Sequence, residues 1–256
     1  MIIAGIDAGV ETTKAVILKD GKVVGCGKTS TGGIDRPEQA RKAYDEALKE
    51  AGIVEKDVET VTATGKGKFD VPFVGGRITE TIAAAYAART MCPDATSVMV
   101  VGADEILAAT LGDKRPINEF VLNQKCTAGV GTFLKYLAKR LGIPIEETGN
   151  ETEDAGPINE GCVVFSELDV LSLLNNGAAP KAVMASAVKA AAVRAANVIN
   201  DISVPANERV VLIGGLTKNA RFVRLLEELA GFRFIIPDET EYCGAIGAAL
   251  SGGKVS

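Results

Sequence analysis

The sequence contains no histidine and no tryptophan, and only 5 % of its 256 residues are aromatic. Without histidine the usual general base of enzymes is missing, so acid–base chemistry must use carboxylates, lysine, tyrosine or water. The net charge of −5 leaves no basic face of the kind that binds nucleic acid. No apolar run approaches the roughly 18 residues that a membrane span needs. We therefore expect neither nucleic acid nor a membrane as partner.

A secretory signal is also missing, because residues 1–7 predict a buried strand that ends in an acid rather than a signal peptide. Five cysteines without such a signal fit a reducing cytoplasm. In that compartment thiols are more often catalytic or metal-binding than disulfide-bonded. We expect a cytoplasmic protein.

Two of the cysteines stand directly before segments whose apolar period predicts helices. They are Cys126 in NQKCTAGVGTF and Cys162 in EGCVVFSE. A helix N-terminus stabilises a thiolate through its dipole and free N–H groups. Two cysteines are half the ligand set of a four-cysteine iron–sulfur cluster, and a two-fold dimer would supply the other half. The alternative is a buried apolar thiol, which is how we interpret Cys26, Cys92 and Cys243.

The order of predicted elements indicates an α/β protein with an internal duplication of architecture. A strand ending in acid and glycine, a hairpin and a helix occur twice, starting near residues 2 and 97. We predict two lobes, residues 1–95 and 96–256, with a ligand cleft between them. Towards the end of the chain, the pattern predicts helices over 166–175 and 216–229 and a strand over 233–236.

Three glycine-bearing loops follow three apolar strands: Asp7–Gly9, Gly102–Glu105 and Gly214–Gly215. Glycine allows the backbone to approach phosphate oxygens, and consecutive N–H groups form an anion nest. An acid at a strand end can hold Mg²⁺ through water or position an attacking water. Neither a Walker A pattern nor GxGxxG is present. Each loop alone is an ordinary turn, so the information lies in their order.

With these motifs the chain resembles the BadF/BadG/BcrA/BcrD ATPase family, the ATPase components of 2-hydroxyacyl-CoA dehydratases and class I benzoyl-CoA reductases. Residues 5–14 (GIDAGVETTK) resemble its first phosphate loop, and residues 64–68 (TGKGK) its ATGYGR-type turn. Residues 123–129 (NQKCTAG) and 162–167 (CVVFSE) are similar to its two cysteine segments, NDKCAAGTG and CTVFAES. Residues 214–219 (GGLTKN) match its adenosine loop, GGVAxN. The paired cysteine segments are the specific part of the resemblance.

The resemblance implies the ASKHA fold of actin and the sugar kinases, built from two ribonuclease H-like lobes with a nucleotide cleft between them. It implies an ATP-hydrolysing electron donor that drives a low-potential electron into an acyl-CoA-processing partner. The implied cofactors are ATP or ADP, Mg²⁺ and one 4Fe–4S cluster shared by two subunits. The second subunit would be another copy or a related ATPase subunit. The remaining partners would be an acyl-CoA dehydratase or reductase component and an electron donor such as ferredoxin or flavodoxin.

The same resemblance implies roles for individual residues. The catalytic set, for magnesium and water, is Asp7, Asp104 and Glu105. The cofactor-binding set is Gly9, Thr12, Thr13, Lys14, Gly102, Ala103, Gly129, Gly214, Gly215 and Asn219. The cluster ligands are Cys126 and Cys162. The alternative for the acids is a turn or capping role, and for Asn219 a local cap.

The chain departs from the family pattern in its second phosphate loop. Where the family has DIGGQD, this sequence has residues 100–105, VVGADE, and residues 80–85 replace the family's ExxCHA segment. These changes favour the smaller ATPase-type subunit of a benzoyl-CoA reductase over a homodimeric dehydratase activator, and both stay open. Two further hypotheses are a small-molecule, amino-sugar-type kinase of the same fold and a non-hydrolysing subunit that holds half a cluster.

Overall fold

The computed structural model of the chain describes residues 1–31, 35–123, 130–149, 153–205 and 209–252. In these ranges the chain alternates short strands and helices. The strands are β1 (Ile2–Ala8), β2 (Thr12–Lys19), β3 (Lys22–Ser30), β4 (Thr60–Thr64), β5 (Gly76–Arg77), β6 (Ser97–Val101), β7 (Ile106–Leu111), β8 (Ile117–Leu122) and β9 (Val210–Ile213). The α-helices are α1 (Arg36–Ala51), α2 (Glu80–Met91), α3 (Val130–Leu141), α4 (Val163–Asn175), α5 (Pro180–Asn200), α6 (Ala220–Ala230) and α7 (Cys243–Leu250). Short 3-10 turns cover Glu55–Asp57, Lys68–Asp70, Ile145–Glu147 and Gly215–Lys218.

Two sheets organise the strands, with orders β3-β2-β1-β4-β5 and β8-β7-β6-β9. Contacts divide the chain into two compact units. The first contains residues 1–98 and 111–118 and the described part of 237–256; the second contains residues 99–110 and 119–236. The lobe boundary predicted at residues 95 and 96 stays a prediction. In this grouping α7 joins the first unit because it packs on β1.

The first unit is built on the alternation of side chains along β1. Ala4, Ile6 and Ala8 pack with α1, whereas Ile3 packs with α7 on the other face. This period of two is what a strand covered on both faces requires. The hairpin between β2 and β3 turns at the Asp20–Gly21 pair, where both residues have positive φ, as the sequence predicts.

The second unit has one large core around α5. Thirteen of the helix's 21 residues are buried, most of them alanine and valine. By length and hydropathy α5 could cross a membrane, but 72 % of its apolar window is buried inside the protein. A core helix has these properties, so its apolar character is explained by packing.

Two of the predicted elements differ in the structure. The helix predicted over 216–229 is broken, because Asn219 is extended (φ −92°, ψ 102°) and caps α6 after the 3-10 turn. The strand predicted over 233–236 is wrong: of these described residues only Ile235 forms a parallel bridge, with Val211. The amide of Phe234 donates to Glu227 Oε1 instead of a neighbouring strand, and Pro237 follows.

Candidate functional site

Asp7 lies near the end of β1, on the face covered by α7. A Cβ built on Gly244, at the start of α7, would lie 2.8 Å from Asp7 Oδ2. A Cβ on Gly65, which has φ +89°, would lie 2.7 Å from Asp7 Oδ1. Both glycines therefore leave room for the carboxylate, which is 19 % exposed. The Gly65 turn belongs to the segment 64–68, which resembles the ATGYGR-type turn of the family.

Lys14 is the cation nearest to this carboxylate among the described ion pairs. It stands opposite Asp7 in the β1–β2 register, with Nζ 3.7 Å from Asp7 Oδ2. The side chain of Thr13 is buried, and its Oγ1 lies 3.2 Å from Thr31 Oγ1. Thr31 in turn donates to the carbonyl of Gly9 and so fixes the turn between the strands. The structure thus brings together a carboxylate, an ammonium and a fixed glycine turn, to which Thr12 is adjacent.

The second predicted loop, Gly102–Glu105, is the tight connection between β6 and β7. The amide of Gly102 donates to the carbonyl of Glu105 at 2.9 Å. The carbonyl of Ala103 accepts two bonds from Thr132, one from its amide at 2.8 Å and one from its hydroxyl at 2.9 Å. This loop is therefore attached to the first turn of α3. Asp104 lies at its tip and, like Glu105, is partly exposed.

The third loop lies against the end of β6, directly before the second loop. Gly214 has φ +109°, and a Cβ there would lie 2.5 Å from the carbonyl oxygen of Val101, so only glycine fits. Gly215 is exposed and has no atom near its Cβ position. In the second unit the structure thus brings the predicted second and third loops together.

The side chain of Asn219 is occupied at both ends. Its Oδ1 accepts from the amide of Phe222 at 2.9 Å and caps α6. Its Nδ2 donates to Thr148 Oγ1 at 2.9 Å. The local cap that the sequence allowed is present, while the predicted role of Asn219 toward adenosine stays a prediction.

Cys162 is the N-cap residue of α4 and carries a free, partly exposed thiol. The turn before it is fixed by Asn159, whose Oδ1 accepts from the amides of Gly161 at 2.9 Å and of Cys162 at 2.8 Å. Ser166 closes the first helical turn: its hydroxyl lies 2.9 Å from the carbonyl of Cys162 and 2.6 Å from that of Asn159. The helix starts three residues earlier than predicted, which places the thiol at its N-terminus.

The first turns of α3 and α4, together with residues of α5, line one solvent-open cleft. Val130 of α3 and Val163 of α4 both contribute to it. Val130 follows Cys126 by four residues in the sequence. Cys126 and Gly129 lie outside the described residues, so the structure describes only the second of the two predicted cluster cysteines.

The remaining cysteines match their interpretation as ordinary thiols. Cys92 and Cys243 are buried, and Cys26 is half-buried. Burial raises the pKa of Cys243 to about 12 and that of Cys26 to about 11. Thiols that stay protonated at neutral pH are poor metal ligands. In the part of the chain that the structure describes, no three histidine, cysteine or acidic side chains gather into a metal site.

Four residues around these sites were not predicted from the sequence: Gly244, Thr132, Asn159 and Arg194. Asn159 could have been predicted, since the pattern Asn-x-Gly-Cys before a helix is typical of an Asx turn. Arg194 could also have been predicted, because it is a charged residue within the Ala-rich sequence of α5. Gly244 and Thr132 act through contacts distant in sequence, to Asp7 and Ala103. Residue spacing carries no information about such contacts.

The chain matches both a known family and individual relatives. The family model described as BadF/BadG/BcrA/BcrD ATPase family matches residues 4–252. The activator of lactoyl-CoA dehydratase from Anaerotignum propionicum is 32 % identical, over 98 % of this chain and 96 % of that protein. A benzoyl-CoA reductase polypeptide from Thauera aromatica is 29 % identical, over 98 % of this chain and 93 % of that protein.

Among solved structures, the activator of the 2-hydroxyisocaproyl-CoA dehydratase from Clostridium difficile, with bound ADPNP, superimposes with a TM-score of 0.87. It is 28 % identical, and the match covers 99 % of this chain and 94 % of that one. A ROK family glucokinase from Streptomyces griseus, with a TM-score of 0.61 and 12 % identity over 97 % and 98 % of the two chains, shares the fold alone. The predicted ASKHA fold is confirmed.

Replacing Asn219 tests its capping role. We expect Asn219→Ala to lower the free energy of unfolding by about 1 kcal/mol, because α6 loses its N-cap. Asn219→Asp keeps the acceptor for Phe222 and loses only the donor to Thr148, so we expect a smaller loss. Urea unfolding measures both. An alanine variant as stable as the wild type would contradict the capping role.

Proposed function

Because the chain belongs to the BadF/BadG/BcrA/BcrD ATPase family, we propose that it hydrolyses ATP to drive a low-potential electron into an acyl-CoA-processing partner. The predicted family is confirmed, and so is the predicted function at the level of an ATPase of dehydratase activators and reductase components. The observation that carries the electron-donor part is Cys162, a free and accessible thiol at the start of α4. Its turn is held by hydrogen bonds of Asn159 and Ser166.

For ATP hydrolysis we propose the Asp7 region as the site of magnesium and the attacking water. A carboxylate oxygen is the ligand type that Mg²⁺ prefers, and the ion usually keeps several waters. The carboxylate of Asp7 has the space that Gly65 and Gly244 leave, and Lys14 adds a positive charge for phosphate oxygens. Asp104 and Glu105 are proposed to assist from the tip of the β6–β7 connection.

Nucleotide binding is proposed to use the glycine turns. Backbone N–H groups in such turns hold phosphate oxygens without a side chain in the way. The proposed phosphate contacts come from Gly9, Thr12, Lys14, Gly102 and Ala103, with Thr13 proposed to support them. The proposed adenosine contacts come from Gly214, Gly215 and Asn219. The buried hydroxyl of Thr13 would act by holding the Gly9 turn rather than by touching phosphate.

For electron transfer we propose a 4Fe–4S cluster held by Cys126 and Cys162 of each of two subunits. Four thiolates complete the ligand set of such a cluster, which supplies one-electron redox chemistry when it is bound. The described residues fit half a site, since the thiol of Cys162 is accessible and its turn is already ordered. The first turn of α3, which follows Cys126, lines the same cleft as the first turn of α4.

The second subunit is proposed to cover one face of α4. Four apolar side chains of this helix are more than half exposed: Val164, Phe165, Leu168 and Leu171. Val164, Leu168 and Leu171 follow each other at spacings of four and three, so they share a face. A cluster of large, exposed apolar side chains is typical of an interaction surface. The surface begins two residues after Cys162, where a shared cluster would need the second subunit.

Two subunit arrangements remain open within this proposal. A homodimer corresponds to the dehydratase activators, and a pair of related subunits to a benzoyl-CoA reductase. The partner would be the matching dehydratase or reductase component, and the electron source a ferredoxin or flavodoxin. A cytoplasmic setting is proposed because the four described cysteines are all free thiols. The kinase hypothesis gives no role to an accessible Cys162, so iron content separates it from the electron donor.

We expect Asp7→Asn to lower the ATP turnover number about 100-fold or more, because a carboxylate that positions magnesium and water is lost. Gly244→Ala should lower it between about 10- and 100-fold, since the new methyl group displaces the Asp7 carboxylate. Phosphate release measures both. Gly75→Ala is the matched control, because a Cβ there meets its nearest atom, Val61 O, at 3.9 Å. Unchanged turnover in Asp7→Asn would place hydrolysis elsewhere or remove it from this chain.

Anaerobic wild-type protein should contain about two irons and two acid-labile sulfides per chain, half of a shared four-iron cluster. Cys126→Ser and Cys162→Ser should each lose them, whereas Cys243→Ser, at a buried thiol, should keep them. Iron and sulfide assays with visible absorbance measure this. If the wild type holds no iron when purified alone, co-expression with the related subunit is the decisive repeat. No iron in that complex would contradict the electron-donor function.

We expect Leu168→Glu to convert the dimer into monomers without loss of helix content, because Leu168 is 56 % exposed and its charge would enter only the interface. Leu229→Glu, at a 45 % exposed leucine of α6, is the control and should leave the dimer intact. Light scattering after size exclusion gives the subunit number. Dimers in the Leu168 variant would show that another face joins the subunits.

A further inference from the structure

Arg194 is a buried charge in an apolar helix. It is 7 % exposed, and it is the only charged residue among the thirteen buried residues of α5. Removing a guanidinium from water costs several kcal/mol unless hydrogen bonds compensate for it. The remainder of the buried α5 surface is formed mostly by alanine and valine, which pack without such a cost. A specific partner must therefore stabilise the charge at this position.

One such partner is in the turn before Cys162. Arg194 Nε donates to the carbonyl oxygen of Glu160 at 2.5 Å, across 34 residues of sequence. A hydrogen bond from a charged donor is about twice as strong as one between neutral groups. Glu160 stands two residues before Cys162. Asn159 fixes the amides of the same turn, so Arg194 adds the long-range contact that ties this turn to α5.

Arg194 also lines the cleft between the first turns of α3 and α4. The other polar residues of that lining are Asn159, Glu160 and Ser166, so Arg194 is the one cation among the lining residues that the structure describes. A positive charge near an iron–sulfur cluster favours its more negative, reduced state, because cluster potentials respond to nearby charge and hydrogen bonds. The same residue could thus affect both geometry and potential.

We propose that Arg194 is a positioning residue for Cys162, which it acts on through the Glu160 carbonyl, and that its charge raises the reduction potential of the bound cluster. The second half of this proposal rests on the proposed function. The first half concerns the protein without a cluster and can be tested on it directly. Arg194 touches neither ATP nor the acyl-CoA partner in this proposal.

The positioning role is tested by hydrogen exchange of the cluster-free protein. In Arg194→Met we expect the amides of Gly161, Cys162 and Ser166 to exchange about tenfold faster, because a charge-assisted bond that holds their turn is lost. Arg194→Lys keeps the charge and should show a smaller acceleration. Lys181→Met, at an exposed cation of the first turn of α5, is the matched control and should leave these amides unchanged. Unchanged exchange in both Arg194 variants would overturn the positioning role. Should the methionine variant not fold, the lysine variant alone decides.

The electrostatic role is tested by anaerobic redox titration of the reconstituted proteins, followed by electron paramagnetic resonance. We expect the midpoint potential of Arg194→Met to fall by about 59 mV, a tenfold change in the ratio of reduced to oxidised cluster. Arg194→Lys keeps the positive charge, so its midpoint potential should stay close to that of the wild type, which a purely structural role would not predict. An unchanged potential in an iron-loaded methionine variant would overturn this half. If the wild type holds no iron, either alone or with its partner subunit, the proposed function is overturned and the electrostatic role with it. The hydrogen-exchange result still decides the positioning role in that case.

Discussion

The close approach of α7 to the backbone of β1 and α2 is the constraint on which the first unit depends. A Cβ on Gly5 of β1 would lie 1.9 Å from the carbonyl oxygen of Ala245, and one on Gly247 of α7 would lie 1.8 Å from that of Ala83. No side chain larger than hydrogen fits at either contact. The helix therefore sits directly on the strand that carries Asp7, and its start defines the space around that carboxylate.

In the second unit, α5 is the element on which the candidate site depends. It acts through core packing and hydrogen bonds rather than through close backbone contacts. Its alanine and valine side chains fill the core, and its few polar residues hold the segment that leads to Cys162. Ser186 Oγ accepts from the amides of Ala155 and Gly156, Lys189 pairs with Asp154, and Arg194 binds the carbonyl of Glu160. A long irregular segment is thus attached to one rigid helix. Rigid support of this kind is what a site on a loop needs to keep a defined geometry.

Much of this arrangement could be predicted from the sequence. The strands over residues 97–101, 106–111 and 210–213 lie where the sequence pattern predicts them. The errors occur where a side chain competes with regular structure. Asn219 interrupts a helical pattern by capping α6, and Glu227 takes the amide of Phe234 that a strand would have used. Both competitors are local hydrogen bonds that hydrophobic periodicity does not register.

The motifs of the candidate site could be predicted from the sequence, whereas the long-range contacts that hold those motifs in place could not. Asp7 and Cys162 stand out because each ends or begins an element at a glycine-bearing turn. Gly244 lies 237 residues after Asp7 in the chain, and Arg194 lies 32 residues after Cys162. Only the fold brings each of these supporting residues close to the group that it supports. A motif therefore identifies a candidate functional group, whereas the geometry that holds the group comes from packing.

The attachment of the β6–β7 connection to α3 also bears on how this protein tolerates mutation. Thr132 donates to the main-chain carbonyl of residue 103, so these hydrogen bonds do not depend on which side chain residue 103 carries. Substitutions in the loop can alter its chemistry while its anchorage to α3 persists. In this chain the loop has the sequence VGADE, and both of its bonds to Thr132 use only the backbone carbonyl of Ala103.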